Sequence, residues 1–259
     1  MASSELVEMS DPRVRAMHIA DCGEPLVDAA SGGLITCGPP PECPETAPFY
    51  RLLREGVVAR LQKAQKRLPP GLQLRLYEGY RNPKIQQMLF DGQFRRMKNE
   101  NPSRNASWCY VQAAKLASPL CTFEGVQIVP PHSTGGAVDI EIVDNDGIPL
   151  DFGMELRDWD VVPPDLCATR FDEITNAAAN NRRLLVETLA VEGFVNYPRE
   201  WWHFSYGDQY WAFSTASAHA LYGTVQESIF NGGVVPPNPA VQGTLGVTFS
   251  TSNYLSRSK

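Results

Sequence analysis

The sequence predicts one α+β domain, and three observations carry that expectation. Helical periodicity over 49–68, 83–98 and 171–192 alternates with period-two stretches at 72–76 and 138–142. No Pro/Gly/Ser-rich linker divides the chain into two compact halves, and no internal repeat is visible. At 259 residues, with 43% apolar and 20% charged side chains, the chain can bury a substantial core. The expected organisation is an irregular N-terminal arm over 1–48, the compact domain over 49–231, and a loosely packed C-terminal tail over 232–259.

Taken in order, residues 1–48 are rich in Pro, Gly and Cys and promise no more than one or two short strands. In 49–68, Leu53, Val57, Leu61, Ala64 and Leu68 recur at helical spacing, until Pro69-Pro70-Gly71 stops the pattern. Leu72, Leu74 and Leu76 then alternate with Gln73 and Arg75 as a half-buried strand. It runs into the turn Tyr77-Glu78-Gly79-Tyr80-Arg81, a common position for functional side chains. A second helix is expected over 83–98 and a short one over 108–116. Val138, Ile140 and Ile142 alternate with Asp139 and Glu141, which puts Asp139 on a strand, facing away from the aliphatic side. Asp144-Asn145-Asp146-Gly147 is a hairpin-type turn. After a loop-rich crossover, 171–192 reads as a helix closed by Gly193. A strand from Phe194, strands at 204–206 and 209–213, and a helix surface over 214–221 complete the expected elements.

Composition narrows the function. A net charge of −6 without a long Lys/Arg run argues against nucleic acid as a partner. No segment approaches the ~20 apolar residues that span a bilayer, and Met1–Glu8 has no basic stretch leading into an apolar one, so no membrane partner and a cytoplasmic location are expected. The six cysteines form no Cys-x-x-Cys pair. Reduced, mostly buried thiols are the expectation, with disulfides as the alternative in an oxidising compartment.

Chemistry concentrates in two stretches, His132-Ser133-Thr134-Gly135-Gly136-Ala137-Val138-Asp139 and Glu200-Trp201-Trp202-His203. Two His and one Asp are the ligand number and type of a catalytic zinc, and a Glu that is not a ligand can act as base for the attacking water. Gly135 and Gly136 allow the tight turn that lets a loop histidine and a strand aspartate face one metal. On a straight strand Glu200 and His203 would point to opposite faces, so a turn or bulge is expected through Trp201-Trp202. A lone His, or a lone Glu-x-x-His, is usually structural; the complementarity of the two stretches is what favours a site. His18 and His219 are the remaining histidines, and neither has a carboxylate at useful spacing. No Gly-x-Ser-x-Gly elbow supports a serine hydrolase. Cys109 and Cys121 stay open as nucleophiles, without a histidine spaced to favour either.

The pattern His132-x-x-Gly135-x-Ala137-x-Asp139 followed by Glu200-Trp201-Trp202-His203 resembles the zinc D-Ala-D-Ala dipeptidases of the VanX type, in peptidase family M15. Tyr77-Glu78-Gly79-Tyr80-Arg81 looks like that family's Asp-Gly-Tyr-Arg segment, and the resemblance runs over roughly 45–215. It implies a hedgehog/D,D-peptidase-like fold with a central antiparallel sheet flanked by helices. It further implies one Zn2+ per chain on His132, Asp139 and His203, Glu200 as general base then acid, and Arg81 as the cation that polarises the scissile carbonyl. The implied substrate is a small D,D-dipeptide. The alternatives are a peptidoglycan D,D-carboxypeptidase or endopeptidase of the same fold, and a zinc-containing binding domain without catalysis. Two departures stand out. The family's Ser two residues before the first ligand is Pro130 here, which removes a side-chain hydrogen bond to substrate. The family's ammonium-binding Asp follows Gly-x-x-Phe-Asp, whereas Gly153-Met154-Glu155-Leu156-Arg157-Asp158 departs from it and leaves Asp158 and Glu155 as candidates.

Overall fold

The structure, a computed structural model, describes residues 6–39 and 46–225. The tail expected over 232–259 and Cys43 lie outside the described residues. Seven short strands are β1 (Leu26–Asp28), β2 (Thr36–Cys37), β3 (Leu52–Arg54), β4 (Gln73–Glu78), β5 (Ala137–Val143), β6 (Val195–Asn196) and β7 (His203–Ser205). The helices are α1 (Pro12–Arg15), α2 (Glu55–Gln65), α3 (Pro83–Glu100), α4 (Ala106–Ala113), α5 (Pro164–Cys167), α6 (Asn176–Ala190) and α7 (Gln209–Ser214). Five strands form the central sheet in the order β2-β4-β5-β7-β6, while β1 and β3 pair separately. Every pairing is antiparallel except β2 with β4.

The sheet is two-faced because β4, up to Leu76, and β5 alternate. Leu74, Leu76, Val138, Ile140 and Ile142 are all fully buried, and α2 and α6 cover them with Val57, Leu61, Ala64, Leu185 and Leu189. Each such aliphatic side chain contributes about 1.5–3 kcal/mol on burial, so this one layer holds the site's framework rigid. The other parity of β5 carries Asp139 and Glu141, also buried, and a register shift between Leu76 and Glu78 brings buried Glu78 into line with Asp139. Glu141 is matched in register by Arg75, whose guanidinium lies 2.8 Å away. Glu78, Asp139 and His203 stand side by side across β4, β5 and β7. The pattern that makes the core on one side thus delivers acids to the other.

Several boundaries differ from the expected ones. The helix expected from residue 49 begins only at Glu55, because Leu52–Arg54 pair with Leu26–Asp28 of the arm. Leu53 is buried as a strand residue, a role that local periodicity cannot separate from a helical one. Residues 209–213, expected as a strand, form α7. Asp208 caps it, its Oδ1 accepting from Trp211 N at 2.8 Å, and the capping oxygen settles the conformation. The helix expected from 171 starts at Asn176 under the Thr175 cap. Residues 215–221 are turns rather than a helix surface, with Ala220 bridging Ile19.

The arm is tied across the whole domain. Fully buried Arg54 donates to Thr134 O (2.8 Å), Glu24 O (2.6 Å) and Gly223 O (3.2 Å), and pairs with Asp21 at 2.9 Å. At the other end of the arm, Glu8 accepts from Tyr197 Oη at 2.6 Å and is gripped by Arg199. Val7 and Met9 pack with Val14, Tyr197 and Tyr210. Among the described residues no helix is long and apolar enough to cross a membrane.

Cysteine chemistry follows burial. Cys109 and Cys167 are fully buried, and burial pushes the Cys167 thiol up to about 12. Cys22 and Cys121 are exposed. Brief treatment of the folded protein with iodoacetamide is expected to label Cys22 and Cys121, and to reach Cys109 and Cys167 only after denaturation. Peptide mass mapping reads this directly; native labelling of Cys167 would contradict the packing.

Candidate active site

Three backbone devices bring the site together. The first is the loop into β5. Pro131–Thr134 forms a 3-10 turn that ends at Gly135, whose φ of +72° is left-handed, a conformation glycine adopts without strain. A Cβ on Gly136 would collide with the Tyr206 carbonyl. These two positions let His132 fold back over the strand that carries Asp139. The second device is the turn before β7. His203 N donates to Glu200 O at 3.2 Å, and Asn196 Nδ2 donates to the Glu200 and His203 carbonyls at 3.1 and 3.0 Å. Trp201 and Trp202 occupy the turn, with Trp201 fully buried and stacked on Phe152 at 4.1 Å. Glu200 and His203 are thereby brought to one side. The third is the end of β4, where Arg81 N donates to His132 O at 3.1 Å and Ser133 Oγ donates to Arg81 O at 3.0 Å.

The resulting cluster is compact and buried. Asp139 Oδ1 lies 3.0 Å from His203 Nδ1 and 3.3 Å from His132 Nε2, and the two histidine nitrogens are 3.1 Å apart. Zinc bonds of about 2.0–2.2 Å place neighbouring ligand atoms of a tetrahedral site about 3.3–3.6 Å apart, so the observed triangle fits within a few tenths of an ångström. His132 Nδ1 is engaged by the Gly79 carbonyl at 2.8 Å, which fixes the tautomer and leaves Nε2 with a lone pair toward the cluster. The electrostatics agree. Burial works to raise the Asp139 carboxyl, but the charges and hydrogen bonds of His132 and His203 overcome it and hold it well below the usual range. Burial lowers His203, favouring the neutral, ligating form. Burial raises Asp208, which interacts electrostatically with both histidines. His132, Asp139 and His203 can therefore hold a metal ion.

Glu200 sits beside this triangle, its Oε2 3.8 Å from His203 Nδ1, outside the set of converging ligand atoms. Burial, reinforced by the Asp139 carboxylate, pushes its carboxyl well above the ordinary range. Arg81 reaches the same cavity with its Nη2 3.9 Å from Asp139 Oδ2. Its guanidinium is locked by Glu78, on Nε at 2.9 Å and on Nη2, and by Gln86 on Nη1 at 2.9 Å. A charge held that way has a fixed direction, as oxyanion stabilisation requires.

Five of the seven residues singled out in the sequence thus meet around one narrow cavity of about 40 Å3, which they line with Met9, Tyr77, Gln86, Lys115, Tyr197 and others. The two candidates for an ammonium-binding carboxylate do not join them. Glu155 is exposed and paired with Arg157 at 2.7 Å, and Asp158 is half-buried outside the lining. Leu156 and Trp159 are what this turn contributes to the wall. His18 is exposed on the arm and His219 lies in the final turns. Sequence reasoning missed Glu78, which holds Arg81. The alternation that buries Leu74 and Leu76 also buries position 78, and a carboxylate there is a signal. Met9 and Lys115 had no such signal, since each reaches the wall through tertiary packing alone.

Comparison with known proteins adds the lineage. The family model described as Peptidase_M15, D-ala-D-ala dipeptidase, matches residues 50–222, more than half of the chain. The chain belongs to the M15 peptidase family. Within that family it is 29% identical over 238 residues to the D-alanyl-D-alanine dipeptidase of Synechocystis sp., covering 82% of this chain and 96% of that one. Among solved structures, a mutant of the vancomycin resistance D,D-pentapeptidase VanY in complex with Zn(II) gives a TM-score of 0.37 at 17% identity, covering 66% of this chain and 80% of that one. The LD-carboxypeptidase LdcB gives 0.36 at 16%, covering 72% and 71%. Every one of the five clustered residues falls inside the stretch that matches the M15 family.

Proposed function

We propose that this M15 peptidase hydrolyses D-alanyl-D-alanine with one zinc ion per chain, held by His132, Asp139 and His203. The observation that carries the proposal is the buried triangle of ligand atoms with a buried carboxyl group, Glu200, beside it. The family description and the Synechocystis relative support the dipeptide as substrate, and so does the narrowness of the cavity. A reducing, cytoplasmic setting belongs to the same reading and suits five described cysteines with free thiols.

Zinc bound here supplies Lewis-acid activation of the carbonyl and of a water molecule. The chain's own groups do the rest. Glu200 takes a proton from the attacking water as the C–O bond forms. Fixed beside the cluster by the turn that also carries His203, it keeps that proton until the C–N bond breaks and then returns it to the leaving amine nitrogen. Arg81, immobilised by Glu78 and Gln86, faces the oxygen on which negative charge develops. The hydrophobic wall of Leu89, Leu116, Leu156 and Trp202 limits water around these charges.

The test combines metal analysis with D-alanine release. Purified protein is expected to contain one zinc per chain and to release D-alanine from D-Ala-D-Ala. A chelator is expected to abolish turnover and lower Tm, and added zinc to restore both, since a ligand bound only by the folded state stabilises it. Stoichiometric zinc without hydrolysis of any D,D-peptide would return the protein to the class of zinc-containing binding domains. Equal rates on D-Ala-D-Ala and on a pentapeptide stem would remove the dipeptide restriction.

A further inference from the structure

The substrate proposed above carries a free carboxylate into a cavity that already holds Asp139 and Glu200. With the metal of that reading bound, its two positive charges are already met by Asp139 and Glu200, so the substrate carboxylate still needs a cation of its own. The cations near the site are nearly all committed. Arg81 is bound to Glu78 and Gln86. Arg199, on the adjoining cavity of about 240 Å3, is gripped by Glu8, and Arg96 is engaged by Glu100 at 2.8 Å and by the Asp160 carbonyl. Pro130 and Pro131, before the first histidine, have neither an N–H nor a side-chain donor to offer.

Lys115 is different. It lies just after α4 on the segment Ala114–Ser118, which forms part of the catalytic wall, and it lines the adjoining cavity as well. Its ammonium donates to the neutral Gln112 Oε1 at 2.7 Å, and among the described residues it makes no ion pair. An ammonium has three donors, so at least two hydrogen bonds are left to give. Its backbone is positioned rather than loose. The Lys115 carbonyl packs 3.3 Å from Tyr197 Oη, whose proton is shared with Glu8 at 2.6 Å, and Ala117 N closes a turn onto Ala113 O at 3.1 Å. Tyr197 also lines the catalytic cavity, three residues before Glu200. A half-buried, uncommitted cation is thus fixed at the junction of the two cavities.

We propose that Lys115 receives the terminal carboxylate of the peptide substrate and so restricts the enzyme to short peptides with a free C-terminus. This rests on the peptidase reading above and assigns its specificity to a residue outside the metal cluster. The experiment is steady-state kinetics of the zinc-loaded full chain on D-Ala-D-Ala and on its C-terminal amide. The variants are Lys115→Met and Lys115→Arg, and zinc content and Tm are measured on each. Wild type is expected to prefer the acid. Lys115→Met is expected to reduce the acid-to-amide ratio of kcat/KM about 10–100-fold, the span of a charge-assisted hydrogen bond, mainly through KM. Lys115→Arg is expected to recover most of the ratio. If Lys115→Met misfolds, Lys115→Gln replaces it, since it keeps a polar head on a side chain one atom shorter and removes the charge. An unchanged ratio in the neutral variant overturns the assignment of Lys115 while leaving the dipeptidase reading intact. Wild type that releases D-alanine from neither compound overturns both.

Discussion

Glu200→Gln is expected to lower kcat on D-Ala-D-Ala by about 10²–10⁴-fold, the contribution of a positioned general acid–base. The substitution is close to isosteric, and the backbone that places residue 200 is held by Asn196 and the Tyr197 carbonyl through main-chain hydrogen bonds of Glu200. Zinc content should therefore stay at one per chain, because the three ligand atoms converge without residue 200. What disappears is the ability to take up a proton. A neutral amide can accept a hydrogen bond from water but cannot remove its proton at neutral pH. KM should move little, since ground-state contacts survive; the loss belongs to the transition state. Metal analysis and single-turnover rates on the same preparation separate the two effects. A Glu200→Gln enzyme within a few fold of wild type would take Glu200 out of the mechanism.

The largest expected effect on stability comes from Arg54→Met. Arg54 is fully buried, and its guanidinium is shared among the Thr134, Glu24 and Gly223 carbonyls and the Asp21 carboxylate. Methionine fills much of the volume yet satisfies none of these acceptors. Asp21 is 30% exposed and can turn to water, but the Thr134 carbonyl sits in a fully buried turn. Removing one partner of a buried charged network costs about 3–5 kcal/mol. At about 2–4 °C per kcal/mol for a chain of this size, Tm should fall by roughly 6–20 °C. The damage should also be directional. Thr134 belongs to the turn that carries His132, so zinc affinity is expected to fall together with stability. A Tm within about 2 °C of wild type would mean that the core closes around the loss.

What could be read in the sequence was whatever rests on short-range order. The alternation in 72–76 and 138–142 sets the sheet faces by itself, and Asp139 follows from it. The glycine pair after Thr134 and the four residues Glu200–His203 carry their geometry locally, so the clustering of His132, Asp139 and His203 beside Glu200 was legible. Arg81 was legible only through the resemblance, because a guanidinium at a strand end is ordinarily a surface group. The unread features depend on partners distant in sequence. Leu52–Arg54 look helical until Leu26–Asp28 pair with them. Residues 209–213 look like a strand until Asp208 caps them. Glu155 and Asp158 were candidates only through the resemblance, in a run that departs from the family's, and the 3-10 turn at Leu156–Asp158 sends Leu156 to the cavity wall instead.

The M15 match starts at residue 50, after the arm, yet the arm supplies a strand partner for β3, an edge strand beside β4, the carboxylate for Arg54 and, through Met9, a piece of the cavity wall. Residues that precede the matched stretch therefore touch both the cavity and the buried charge network. In a lineage that diverges, such a segment is a place where selectivity can drift while the metal ligands stay fixed. It also ties that drift to foldability, since the same short run of chain serves both. Exchanging arms between relatives would be a transplant of specificity, and the transplanted piece would have to bring its half of the Arg54 and Arg199 contacts with it.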